Sequence, residues 1–212
     1  MTKHILLWGC TLIGIAILIV LLAKLGATPP STGGPLAVPV SDKDHFKGNQ
    51  NAKTALVEYS DFQCPACAQM YPIVKQIGET FKDDLKIVYR HYPLSQAHKN
   101  ANTAARASEA AALQGKFWEM HDMLFNTQNE WAQIDNSEAF FVNLATSLGL
   151  DSEKFKADLN SRSAGKKISE DELGGVASEV QGTPTFFLNG ERIQNPRTMQ
   201  EFENVIKAAM SK

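Results

Sequence analysis

The chain has 212 residues, a formal net charge of -2 and 43% hydrophobic residues, which suits one globular domain with a tether and excludes a disordered protein. It has neither a basic excess nor Lys and Arg interleaved with exposed-looking aromatics, so no nucleic-acid partner is expected. Its 3 cysteines, two of them three positions apart, exclude a small scaffold stapled by disulfides.

Residues 5–23 carry no charged side chain, and an apolar run of about 20 residues crosses hydrocarbon as a helix. The sequence therefore predicts an N-terminal transmembrane helix, an anchor over residues 1–26. The run is too long for a typical signal-peptide core, and Leu25-Gly26-Ala27 is a poor cleavage site. Lys3 and the terminal amine before the run, with Lys24 after it, bias the N-terminus only weakly toward the cytoplasm. Cys10 inside the run reads as a packing residue. Residues 27–44 are a Pro/Gly-rich linker, because ATPPSTGGPLAVPV carries four prolines and two glycines, a composition that gives a partly stiff spacer.

Residues 45–212 form the soluble domain. Ala55 to Tyr59 reads as a short buried strand that runs through Ser60-Asp61-Phe62-Gln63 into Cys64-Pro65-Ala66-Cys67. Pro65 suits the first turn of a helix, and Met70, Ile73, Val74, Ile77 and Phe81 continue it at helical spacing, with Pro72 expected to kink it. Leu85 to Tyr89 is the next strand, so strand, helix and strand form a right-handed parallel unit. A helical insertion follows over about residues 96–161: an Ala-rich stretch to Leu113, then Phe117 to Phe125, then Phe141 to Leu148 behind an Asn136-Ser137 cap. A further helix is expected from Ser163 to Val180, interrupted or frayed near Gly174-Gly175 and ended at Gly182. Thr185 to Leu188 is then a strand, Asn189-Gly190 a hairpin turn and Glu191 to Ile193 the return strand. Thr198 and Glu201 form a capping box for a last helix that buries Phe202, Val205, Ile206 and Ala209.

Two cysteines at CxxC spacing can hold half a zinc site, a copper ion or a redox disulfide. A zinc site wants two further ligands, and neither a second CxxC nor an HxxxH follows; His45, His91, His98 and His121 are scattered along the chain. No metal site and no cofactor beyond the disulfide is expected. The motif instead lies where a strand gives way to a helix, which puts Cys64 beside the unpaired N–H groups and positive dipole end of that helix. Cys64 then attacks and is attacked, and Cys67, one turn in and more buried, resolves. Pro65 and Ala66 open the helix between them.

Glu58 lies six residues before Cys64 in the middle of the buried strand. Alternation alone would turn it outward; the functional reading is a buried carboxyl with a raised pKa that relays the proton of Cys67. At Thr183-Pro184 a proline opens a strand, where either a cis bond or an ordinary trans bond fits. Trp118, Trp131, Phe117 and Met120 read as core packing, His91 as a histidine satisfied by local hydrogen bonds, and Glu170-Asp171-Glu172 as a solvated helix face.

The run EYSDFQCPAC, the proline five residues after the second cysteine, RHYPL at 90–94, AALQGKFWEMHDMLF at 111–125 and GTPTFFLNG near the C-terminus together resemble the DsbA-like branch of the thioredoxin superfamily. The resemblance runs from about His45 to the C-terminus. It implies an α/β thioredoxin fold interrupted by a helical domain, a cis Thr183-Pro184 bond facing the disulfide and holding substrate, and Glu58 in the buried-acid role. The chain departs from the best-known members in having Pro65-Ala66 between the cysteines where they have Pro-His, and Thr183 where Val is more usual; both positions bear on redox potential. The expected function is extracytoplasmic thiol-disulfide exchange that oxidises secreted or envelope proteins, with a DsbB-like or VKOR-like membrane partner for reoxidation. A reductase or isomerase of the same fold is the nearest alternative, and a copper or zinc chaperone a more distant one.

Overall fold

The computed structural model describes residues 34–211. The anchor over residues 1–26, Cys10 and the first part of the linker lie outside the described residues. Among the described residues no helix is long and apolar enough to cross a membrane.

Five strands form one sheet in the order β1-β3-β2-β4-β5: β1 His45–Gly48, β2 Thr54–Ser60, β3 Leu85–His91, β4 Thr185–Leu188 and β5 Glu191–Arg192. β2 and β3 are parallel, and the other neighbours are antiparallel. Helix α1, Pro65–Thr80, makes the β2-to-β3 crossover and runs unbroken through Pro72. The insertion comprises α2 Ala101–Ala112, α3 Phe117–Asn126, α4 Gln128–Trp131, α5 Ser137–Ser147 and α6 Ser152–Leu159; α7 Arg162–Ala177 and α8 Met199–Met210 complete the domain.

The central strand β2 is covered on both faces, so it does not show the clean polar alternation of a half-exposed strand. Leu56 and Glu58 point to one face and Val57 and Tyr59 to the other, as the two-residue period requires. On the first face Leu56, Ile87, Phe186 and Leu188 pack with Val74 and Ile77 of α1 and Phe202 and Ile206 of α8. Full burial of side chains of this size contributes about 1.5–3 kcal/mol each. The insertion builds its own core around Trp131, Phe141 and Phe155, which continues into Phe62, Cys64, Cys67 and Tyr89.

Several expectations need correction. The segment 36–44, read as part of the spacer, is docked: the Leu36 N–H donates to Gly190, and Arg90 reaches the Val38 and Pro39 carbonyls and grips Asp44 through Nε and Nη2 at 2.9 and 3.0 Å. A buried bidentate pair holds it there, and composition does not reveal a long-range partner. Helix α7 does not fray at Gly174-Gly175. A side chain at Gly175 would stand 2.6 Å from the Tyr92 ring and one at Gly174 3.0 Å from the Tyr59 hydroxyl, so these glycines let α7 approach the sheet. The helix ends at Ala177, short of Gly182. Asp171 is not solvated: it is buried and accepts the His91 backbone N–H at 3.1 Å. At the hairpin both Asn189 and Gly190 have positive φ, the geometry of a tight two-residue turn.

Candidate active site

Cys64 is the N-cap of α1 and Pro65 its first residue, so the turn 61–63 fixes where the helix begins. That turn is held by the insertion. Gln128 donates to the carbonyls of Phe62 and Cys64 at 2.8 and 3.1 Å, and Gln63 donates to Ala132 while accepting from the Asn100 N–H. Asp61, buried, accepts from the Gln63 and Leu94 N–H groups and pairs with His98. Deleting such buried partners costs the desolvation of whatever they leave unpaired, so the insertion fixes the position of the cysteine as well as enclosing it.

The two thiols differ in their surroundings. Cys64 is 6% exposed and Cys67 0%; Cys64 is therefore more covered than a helix start suggests, but it is the one with access. The Cys67 thiol, the Thr183 side chain and the Cys67 and Ala66 N–H groups all favour a Cys64 thiolate, and against the opposing effect of burial they pull its pKa down from 9.0 to about 5. Burial, then the neighbouring Cys64 sulfur and Glu58, push Cys67 well above the ordinary thiol value. As a thiol, Cys64 donates to the Thr183 carbonyl at 3.4 Å, and the Thr183-Pro184 bond is cis. The surroundings therefore favour a thiolate at Cys64 and a protonated thiol at Cys67.

Glu58 is 5% exposed and not turned to solvent. Burial raises its pKa from 4.5 to about 7, with the Cys64 thiolate adding to the effect and the Ser60 hydroxyl, which donates to Oε1 at 2.7 Å, opposing it. Tyr89 lies directly across from Glu58 in the β2–β3 register. Its hydroxyl is buried without a hydrogen-bond partner among the described residues.

A sequence profile of the family described as "Thioredoxin" matches residues 40–208. The chain belongs to this family. Among solved structures, BdbD from Bacillus subtilis superimposes with a TM-score of 0.75 at 23% identity, over 87% of this chain and 100% of that one. Wolbachia pipientis alpha-DsbA1 gives a TM-score of 0.72 at 20% identity, over 83% and 94%. These likenesses establish the thioredoxin-like fold with its helical insertion. In sequence, a protein named Na(+)/H(+) antiporter NhaA 1 from Salinispora arenicola is 39% identical over 177 residues, 83% of this chain. This chain spans 26% of that relative's length.

Within this thioredoxin-family chain Cys64, Cys67, Glu58, Pro65, Ala66, Thr183 and Pro184 all converge on one end of β2. Sequence reasoning did not place Ser60, Gln128, Tyr89 or His121 at the site, although they bear on it from four different segments; the stretch 111–125 carries the family resemblance without singling out His121, and Gln128 had no signal beyond helical spacing. Trp131 is fully buried and donates to the Leu124 carbonyl, and Trp118 donates to Phe46, in line with a packing role. The histidines are less scattered than their spacing suggests. His45 and His91 both place Nε2 on Glu109 Oε1, at 2.6 and 2.8 Å, and the three ligand atoms lie within 4.8 Å of one another. A metal at Nε2 of His91 would leave the proton on Nδ1, and that buried nitrogen has no partner among the described residues to orient it as ligating histidines require. The trio fits a hydrogen-bonded core better than a metal centre.

Proposed function

We propose that this chain exchanges a Cys64–Cys67 disulfide with protein thiols outside the cytoplasm, chiefly by oxidising them. The reading rests on the asymmetry of the pair, a Cys64 held as thiolate at neutral pH and a Cys67 held as thiol with Glu58 behind it. A substrate thiolate attacks Cys64, the Cys64–Cys67 bond breaks, and Cys67 leaves as a thiolate that takes the Glu58 proton. A second substrate thiolate then attacks the substrate sulfur of the mixed disulfide. The substrate disulfide forms, Cys64 leaves as a thiolate, and two electrons have passed from substrate to enzyme.

Stabilising the thiolate of the reduced enzyme makes its disulfide more oxidising, which favours the oxidative direction. Ala66 supplies no imidazole to strengthen this, so the chain is a milder oxidant than family members with Pro-His. The Thr183 carbonyl, beside Cys64, positions an extended substrate strand. Substrates are secreted or envelope proteins with free cysteines, and a DsbB-like or VKOR-like membrane protein restores the disulfide. The domain is tethered to the membrane through residues 1–26, and the reaction uses no cofactor besides the disulfide.

Equilibration with glutathione buffers tests this directly. A potential between roughly -270 and -120 mV is expected. A value at or below about -270 mV would replace the oxidase with a reductase and leave the roles of the two cysteines standing. Trapping tests those roles: Cys67→Ala should accumulate mixed disulfides and Cys64→Ser should abolish them.

A further inference from the structure

The segment 92–100 is laced to the turn that ends at Cys64. The Tyr92 N–H donates to the Ser60 carbonyl at 2.9 Å, the Leu94 N–H to Asp61 Oδ2 at 2.9 Å and the Asn100 N–H to Gln63 Oε1 at 2.6 Å. Asp61 in turn accepts the Cys64 N–H on its backbone carbonyl at 3.1 Å. His98 completes the lacing, with Nδ1 on Asp61 Oδ2 at 2.6 Å. Its imidazole therefore stands beside the turn that carries the exchanging sulfur.

This pairing fixes what the imidazole can do. A carboxylate only accepts, so Nδ1 carries the proton of the neutral ring and Nε2 presents its lone pair. Nε2 makes no hydrogen bond among the described residues, and the side chain is 18% exposed while Asp61 beneath it is buried. A buried carboxylate that holds a histidine in one tautomer is the arrangement by which an imidazole is readied to take up a proton. The other polar side chains at this end of the sheet are engaged. Gln63 is held by Ala132 and Asn100, Gln128 by the carbonyls of Phe62 and Cys64, and Lys99 by the Gln133 carbonyl and Asp135. Besides Cys64, His98 is the one acid–base group among residues 61–66, 93–100 and 181–184 with an uncommitted lone pair open to solvent.

We propose that His98, oriented by Asp61, is the base that takes the proton of the incoming substrate thiol as it attacks Cys64. The proposal rests on the reading of Cys64 as the sulfur that substrate thiols attack. In this step the substrate S–H gives its proton to His98 Nε2, and the sulfur electron pair forms the bond to Cys64 Sγ. The Cys64–Cys67 bond breaks toward Cys67, which takes the proton of Glu58. His98 then returns its proton to water through its exposed edge. Glu58, 5% exposed, serves the leaving sulfur, and His98 serves the entering one.

The benefit has a ceiling set by the substrate. An ordinary cysteine, with a pKa near 8.5, is about 3% thiolate at pH 7, and the thiolate is the form that attacks. A base at the entrance lifts that restriction, so its contribution is bounded at roughly 30-fold. A substrate that arrives already ionised gains nothing from it.

Stopped-flow oxidation of a cysteine peptide by the oxidised full chain at pH 7 tests the assignment, run beside the same peptide with selenocysteine, whose selenol is already ionised at that pH. His98→Asn keeps an N–H donor near the Nδ1 position and removes the base. It should slow attack by the thiol about tenfold and attack by the selenolate less than about twofold. The Cys64 thiolate titration and the urea midpoint should stay as in the parent. His98→Gln, an amide of different reach, should give the same pattern. Equal slowing of the two nucleophiles, or a shifted Cys64 titration, would show that His98 only holds the turn and would overturn the proposal. An unchanged thiol rate in both variants would overturn it as well, with the role of Cys64 left standing. If trapping places the mixed disulfide on Cys67, the reading of Cys64 fails first and the proposal falls with it.

Discussion

The buried carboxyl of Glu58 should leave a signature in stability that is independent of catalysis. Burial holds its pKa at about 7 against an ordinary 4.5. Between these values the unfolded chain has released the proton and the native chain keeps it. Stability therefore falls as pH rises through this window, and the loss is complete only above the folded value. The full difference is about 3 kcal/mol, at roughly 1.4 kcal/mol for each pH unit. Glu58→Gln removes the titration and keeps the volume, and its amide oxygen can still accept from Ser60. Any cost of burying the amide N–H groups is the same at every pH, so it shifts the whole curve without changing its slope. Urea unfolding should be followed on oxidised protein, where neither cysteine titrates; loss of the Cys64 thiolate then trims the effect, with burial still the larger cause. The stability of Glu58→Gln relative to the parent should rise by about 2–3 kcal/mol from pH 4 to pH 9. Parallel curves across that range would refute the assignment of a raised pKa to Glu58 and, with it, the proton supply to Cys67.

Four further outcomes follow from the geometry. Thiolate absorbance of the reduced chain should show Cys64 titrating near 5, with Cys67 still protonated at pH 8; a single midpoint near 9 would remove the argument for an oxidising disulfide. Because that value is depressed, the reduced form should gain stability relative to Cys64→Ser as pH rises from 5 toward 9 and lose it again on acidification. Gly175→Ala would push a methyl to 2.6 Å from the Tyr92 ring and should cost about 1–3 kcal/mol in thermal or urea unfolding, whereas Gly115→Ala, at an open positive-φ position, tests backbone strain alone. Asp44→Ala should cost about 3–5 kcal/mol by leaving the buried Arg90 guanidinium unpaired, and should make the segment 36–44 sensitive to limited proteolysis; an unchanged digestion pattern would show that Arg90 does not hold it.

Much of the frame was legible because it rests on short-range rules. The Ala55–Tyr59 run is apolar and flanked by turn residues, and it is the middle of β2. Asn189-Gly190 has the two residues that accept positive φ, and both have it. Thr198 receives the Glu201 N–H as an N-cap should, although Glu201 reaches back to the Arg197 N–H and not to that of Thr198. The strand β1 was not legible: HFKG has no alternation strong enough to stand out, and it exists because the edge of β3 offers it unpaired hydrogen bonds.

At the site, the sequence alone determined where the two sulfurs lie along the chain and in what order. CxxC at a strand-to-helix junction puts one sulfur at the N-cap and the other one turn inside, whatever surrounds them. It could not decide whether Glu58 faced water, because period-two alternation names a face of the sheet but not what covers that face. Only the packing of α1 and the insertion against β2 made that face an interior and raised the carboxyl to about 7. The same holds for Gly174-Gly175, where a propensity for breaking helices yielded to the closeness of Tyr59 and Tyr92, and for Asp171, whose partner is the backbone of a strand eighty residues away. Ionisable groups and glycines take their roles from what tertiary contact brings within a few ångströms. Sequence spacing carries no information about those neighbours.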